Sequence, residues 1–113
     1  MKTLADVDKS LLEARDYSGK TPLHQAAANG RKQAVEYLLS RRCDPKVKDS
    51  TGKTPLHYAA MNGHKDIAEI LILRGALVNV RDSTPDQWTP LGLALKEKHE
   101  ALAAMLLVYG GQQ

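Results

Sequence analysis

A nine-residue string returns in this chain at a fixed distance, and that distance limits the fold more than any other feature. Gly19-Lys20-Thr21-Pro22-Leu23-His24-Gln25-Ala26-Ala27 recurs 33 residues later as Gly52-Lys53-Thr54-Pro55-Leu56-His57-Tyr58-Ala59-Ala60. A weaker copy, Trp88-Thr89-Pro90-Leu91-Gly92-Leu93-Ala94-Leu95, follows after 35 more. Self-similarity at such a period marks a stacked-repeat architecture, in which no unit can bury its apolar face alone. The downstream apolar positions keep the same register. Ala34, Val35, Leu38 and Leu39 map onto Ile67, Ala68, Leu71 and Ile72, and then onto Leu102, Ala103, Leu106 and Leu107. Spacing of i, i+1, i+4, i+5 is one stripe of an α-helix.

Each unit can be read locally. Thr21 and Thr54 are good N-caps, and the proline after each stands at the first helical position, where its missing N–H costs nothing. The alanine-rich helix that follows ends at Asn29-Gly30 or Asn62-Gly63, where glycine adopts the left-handed conformation that stops a helix. A second helix is expected from about Lys32 to Arg41 and from about Lys65 to Arg74. Gly75 and Gly110 close the second and third of these, whereas Arg42 stands where glycine is expected and predicts a mildly strained helix end. The short polar stretches 43–53 and 76–88 read as extended fingers. They turn at Asp49-Ser50-Thr51-Gly52 and its equivalents, with Asp and Gly at the ends of a type I turn. The third finger, Asp82-Ser83-Thr84-Pro85-Asp86-Gln87-Trp88, is two residues longer and lacks the glycine. Its Pro85-Asp86 suits the corner of a different turn.

The Thr-Pro-Leu-His-x-Ala-Ala motif at a 33-residue period resembles the ankyrin repeat, over about residues 16–110. The resemblance implies an all-α solenoid of antiparallel helix pairs with β-turn fingers. One domain over 1–113 is expected, with a partial N-terminal repeat (1–15), repeats at 16–48 and 49–81, and a C-terminal capping repeat (82–113). It also implies that His24 and His57 make, with the motif threonines, structural hydrogen bonds that brace each unit against the next. Both ends depart from the family pattern. Lys96-Glu97-Lys98 replaces Asn-Gly and Gly92 replaces His, as fits a terminal unit. Thr3-Leu4 and the run Ser10-Leu11-Leu12-Glu13-Ala14-Arg15-Asp16 resemble the remains of a preceding repeat. The readings of that end are a segment of a longer protein, or an end covered by a partner or by a second copy. Asn79 resembles the finger asparagine that some ankyrin proteins present to an asparaginyl hydroxylase, although most such asparagines are structural.

Composition narrows the function. The chain has 113 residues and no phenylalanine, so its core must come from Leu, Ile, Val and Ala. No apolar run approaches the roughly 18 residues needed to span a bilayer. The first residues carry acids early and have no apolar signal core. A lone Cys43 forms no internal disulfide and reads as a small, half-buried residue near a helix end. These features imply an intracellular protein, cytoplasmic or nuclear. The net charge of +3 is uneven: residues 17–48 carry seven basic and two acidic side chains, residues 82–113 two and four. His57 and His64 lie seven apart across a helix-breaking Gly63, without a Cys pair or a His-Glu-x-x-His spacing, so no metal site is expected. No phosphate loop, nucleophile elbow or dinucleotide fingerprint is present, which argues against an enzyme and against a cofactor. Nucleic-acid binding through Arg31, Lys32, Arg41 and Arg42 is the weaker reading, because these charges lie on or beside a second helix towards the outer face, where they are usually solvated, and no recognised nucleic-acid motif accompanies them.

The ankyrin resemblance implies a binding module that uses the concave face formed by fingers and first helices. Framework-free positions on that face are Tyr17, Lys20, Lys53, Tyr58, Met61, Asn62, Asp86, Trp88, Leu93 and Lys96. Tyr58, Met61 and Trp88 are expected to form an apolar patch flanked by Lys20 and Lys53. Trp88 is read either as a binding hot spot or as a cap on the last repeat that packs on Tyr58 or Leu93. The partner expected is a protein or peptide with an apolar anchor and nearby acidic residues. A scaffold or adaptor follows; an architectural segment of a larger protein is the alternative. Homo-association through the uncapped N-terminal end is a further expectation.

Overall fold

The computed structural model describes residues 9–113, with side chains from Leu11 onward. Its seven helices are α1 (Lys9–Leu12), α2 (Pro22–Ala28), α3 (Lys32–Ser40), α4 (Pro55–Met61), α5 (Lys65–Leu73), α6 (Pro90–Lys96) and α7 (Glu100–Val108). The expected remnant at Thr3-Leu4 lies outside the described residues. Helices α2, α4 and α6 pack in one row, α3, α5 and α7 in a second, and each pair is joined by a tight turn. The result is an elongated body of 47 × 26 × 20 Å with one core running along it.

The short first helices are set by their starts. Thr21 Oγ1 accepts from His24 N–H, while His24 Nδ1 accepts the Thr21 N–H at 3.1 Å, and Thr54 and His57 repeat this at 3.0 Å. This is a capping box in which an imidazole takes the place of the usual Glu or Gln. The second helices pack through Val35, Leu38, Ile67, Ala68, Leu71, Leu102, Ala103 and Leu106, all buried, as the sequence stripe requires. The stripe frays at the two ends of the row. Ala34 and Leu107 are exposed, because among the described residues the outermost second helices have one second-helix neighbour rather than two.

Among the described residues, three other than glycine adopt positive φ, each where the register calls for glycine. They are Arg42 (φ 65), Gln87 (φ 49) and Lys98 (φ 62). The strained end expected at Arg42 is thus present. A side chain at Gly63 would start 2.8 Å from the His99 ring, so glycine there is needed for space as well as for φ. Lys98, its counterpart in the last repeat, is the last of these turns, and no following histidine lies over it among the described residues.

Candidate protein-binding groove

The fingers are built on a ladder of aspartates at 33-residue spacing. Oδ1 of Asp16 accepts the N–H groups of Ser18 and Lys20, Oδ1 of Asp49 those of Thr51 and Lys53, and Oδ1 of Asp82 those of Thr84 and Trp88, all at 2.8–3.1 Å. The two extra residues of the third finger bulge outward into a turn closed by the Gln87 N–H on the Thr84 carbonyl at 3.0 Å. Asp82 therefore still reaches Trp88, the register equivalent of Lys20 and Lys53. Neighbouring fingers are tied by Ser50 N–H on the Ser18 carbonyl and Ser83 N–H on the Thr51 carbonyl, both at 2.8 Å.

The second carboxylate oxygen of each aspartate finds a different donor. Gln25 Nε2 donates to Asp16 Oδ2 at 2.9 Å, and the Tyr58 hydroxyl, one repeat on, donates to Asp49 Oδ2. The third repeat has Leu93 at that position, which can donate nothing. Asp82 Oδ2, buried and otherwise unpartnered, instead faces the Lys53 ammonium of the preceding repeat at 3.0 Å. Burial alone would raise the carboxyls of Asp49 and Asp82, but the donors around them outweigh it and hold both below the usual range. Burial first, and the Asp49 carboxylate second, push the Tyr58 phenol up.

These bonds decide which expected groove residues are free. Tyr58 is only 7% exposed, with its ring edge-on to His24 at 5.8 Å and Lys20 Nζ 4.9 Å above it, and Leu93 is 2% exposed. Both belong to the framework, so the expected surface patch of Tyr58, Met61 and Trp88 does not form as a unit. Lys53 likewise is an inter-repeat ion-pair partner rather than a free cation. Tyr17 stands fully exposed on the first finger, Asp86 is exposed at the corner of the third, and Lys96 is exposed at the end of α6. Met61 and Trp88 are half-buried; Asn62 is exposed and its amide donates to the Ala28 carbonyl at 3.1 Å. The Trp88 ring lies against Gly92, where any Cβ would come within 3.0 Å of it, and Lys96 Nζ sits 5.3 Å from the ring centroid. Gly92 therefore makes room for the indole.

The motif histidines do brace the stack. His24 Nε2 donates to the Lys53 carbonyl at 2.8 Å and His57 Nε2 to the Trp88 carbonyl at 2.9 Å, the tautomer fixed by Nδ1 accepting from the cap. Burial pushes both imidazoles below the ordinary histidine range, and the carbonyl bonds only partly oppose it. A second brace escaped the sequence reading. His64 Nε2 reaches the Ala28 carbonyl at 3.1 Å and His99 Nε2 the Met61 carbonyl at 3.0 Å, each from the start of a second helix. The signal was present, since both stand seven positions after the fourth residue of the motif. His57 and His64 thus serve different carbonyls, and among the described residues no group of three or more metal-ligating side chains occurs. Asn79 is exposed and structural: it donates to the Gly110 carbonyl at 3.0 Å and accepts the Gln112 N–H at 2.8 Å. Cys43 is fully inside rather than half-buried.

Helix pairs stacked in two rows, joined by bonded fingers and inter-repeat histidines, define the class of helical repeat solenoids. A family model for ankyrin repeats in three copies matches residues 41–113, and one for ankyrin repeats in many copies matches residues 9–59. The chain belongs to the ankyrin-repeat family. No curated protein matches it closely enough to stand as a relative. Ankyrin repeats are generally protein–protein interaction modules and typically non-catalytic. Among the described residues no helix is long and apolar enough to cross a membrane.

Proposed function

We propose that the chain is a single-domain, non-catalytic, intracellular adaptor that binds a protein or peptide along the face formed by its fingers and first helices. The observation that carries this reading is the division of labour on that face. Tyr58, Leu93 and Lys53 are consumed by the framework, whereas Tyr17, Met61, Asp86, Trp88 and Lys96 remain accessible without a cap, brace or ion pair that depends on their side chains. An exposed tyrosine and a half-buried indole under a lysine are the residue types that dominate interface energetics. With Lys53 neutralised by Asp82, the cations left for an acidic partner residue are Lys20 and Lys96, each held over an aromatic ring. The partner is a segment with an apolar anchor for Met61 and Trp88 and carboxylates for those two lysines. Affinity capture from source-cell lysate, compared between the native chain and a Tyr17→Ala, Met61→Ala, Trp88→Ala variant of unchanged circular dichroism, tests it. Retention by the native chain alone supports the groove; equal capture by both rejects it.

A further inference from the structure

The second-helix row is polar at one end of the stack and apolar at the other. In the first repeat, Ser40 and Asp44 finish α3 and its turn, and Leu39 is buried. The in-register positions of the later repeats are Leu73, Leu77, Val108 and Leu107, which are 67%, 56%, 83% and 59% exposed. The first repeat demonstrates that the fold accepts polar residues at three of these four positions, so architecture does not demand this ridge. Helices α5 and α7 pack side by side, and the Tyr109 hydroxyl reaches Glu69 at 3.3 Å, so the exposed side chains form one surface across two repeats. A grouped apolar surface of this kind on a soluble chain marks an interaction site.

The charges beside the ridge indicate its occupant. Exposed Lys65, Asp66 and Glu69 on α5 and exposed Glu100 on α7 leave the first half of the two helices net acidic, while exposed Arg74 stands just after the end of α5, so the face is acidic on balance at one end and basic at the other. A two-fold axis lying across the helices near their middle turns that polarity into complementarity. It sets Arg74 of each copy against Glu69 of the other, Leu73 against Ile70, and Val108 against the small, exposed Ala104. Isologous contacts of this kind require each patch to complement itself under rotation.

We propose that the ridge of Leu73, Leu77, Leu107 and Val108 is the interface of a homodimer in which α5 and α7 of two copies pack antiparallel, with Arg74–Glu69 pairs at its edges. A standard interface takes about 800 Å² per partner, a little over half of it apolar. The ridge supplies the apolar centre of such an interface. Dimerisation on this row leaves both groove faces outward, so the pair is bivalent for the partner proposed above, and its avidity exceeds one groove's affinity.

Sedimentation equilibrium of the full chain from about 1 to about 100 µM reads the monomer–dimer equilibrium directly. The expected result is a weight-average mass rising toward twice that of the chain. Leu73→Ser, Leu77→Asp, Val108→Ser, which installs side chains the first repeat already carries, should keep the circular dichroism and weaken association by at least about 100-fold. Arg74→Glu alone should weaken it, and Arg74→Glu with Glu69→Arg should restore it, an outcome that general loss of folding cannot produce. A chain monomeric throughout overturns the proposal, whether or not it binds vesicles or another protein. So does a dimer untouched by the three ridge substitutions, or one that the charge swap fails to rescue.

Discussion

The two junctions between full repeats share one pair of histidine braces and differ in how the finger aspartate beside them is satisfied. At the first junction His24 holds the Lys53 carbonyl, His64 the Ala28 carbonyl, and Tyr58 satisfies Asp49 within its own repeat, with Lys20 stacked over its ring. At the second, His57 holds the Trp88 carbonyl and His99 the Met61 carbonyl, but Leu93 cannot satisfy Asp82, so Lys53 reaches across the junction to do so. Asp49 is therefore satisfied inside its own repeat by a neutral donor, and Asp82 across the junction by a cation. In a solenoid the stability is close to a sum of repeat and nearest-neighbour terms, so this local difference should appear as different coupling strengths.

The largest effect expected is from removing a brace. His57→Ala opens a cavity in the first-helix row and strands the Trp88 carbonyl and the Thr54 N–H; a loss of about 3–4 kcal/mol is expected by urea titration. A loss below about 1 kcal/mol would remove the histidine from its bracing role. Next comes the contrast between junctions. Lys53→Met leaves Asp82 Oδ2 buried without a cation, at a cost of about 2–3 kcal/mol, whereas Tyr58→Phe forfeits one hydroxyl bond to a carboxylate, at about 1–2 kcal/mol. Trp88 is the sole tryptophan and lies in the third repeat, so its fluorescence separates that repeat from the whole-chain helix signal. Lys53→Met should make the fluorescence transition precede the circular dichroism transition, while Tyr58→Phe should shift both together. Coincident transitions in both variants would show that the junctions are energetically alike.

How much of this was legible in the sequence follows from which interactions repeat. The N-caps, the helix stripe and the finger turns recur at fixed spacing, so each could be read from one repeat and checked against the next, and the strain at Arg42 was legible against Gly75 and Gly110 at the same register. The aspartate ladder and the His64–His99 brace also recur, but their partners are main-chain carbonyls and N–H groups that leave no signature of their own. Groove exposure was the least legible property. Tyr58 reads as a surface aromatic at a variable position; its burial depends on Lys20 of one repeat and Asp49 of its own, three side chains brought together only by stacking. Leu93 and Lys53 fail as free surface for the related reason that a variable position in one repeat answers a fixed one in its neighbour.

Acid should weaken both junctions through the same pair of side chains. His24 and His57 titrate below the ordinary value of 6.5 because they are buried. The unfolded chain therefore binds protons that the folded one refuses; their contribution is complete above about pH 6.5 and declines as pH falls through that value toward the folded pKa. Thermal melts from pH 8 down to about pH 5 should show Tm falling, and the decline should be shallower in a His57→Gln variant. A flat profile would mean that neither imidazole is held neutral.

The smallest effect separates strain from space at the three left-handed residues. Left-handed backbone costs an ordinary L-residue about 1–2 kcal/mol, partly offset by glycine's greater freedom in the unfolded chain. Arg42→Gly and Lys98→Gly should each therefore stabilise by roughly 0.5–1 kcal/mol. The reverse change at the middle repeat should behave differently. Gly63→Lys carries the same backbone cost as Lys98 but also drives a side chain into the His99 ring, which holds the Met61 carbonyl across the second junction. Its loss should exceed the gain at Lys98→Gly and should again separate the Trp88 fluorescence transition from the helix signal. Equal and opposite changes at the two positions would mean that φ alone selects glycine there, and that the His99 ring can yield without loosening the junction.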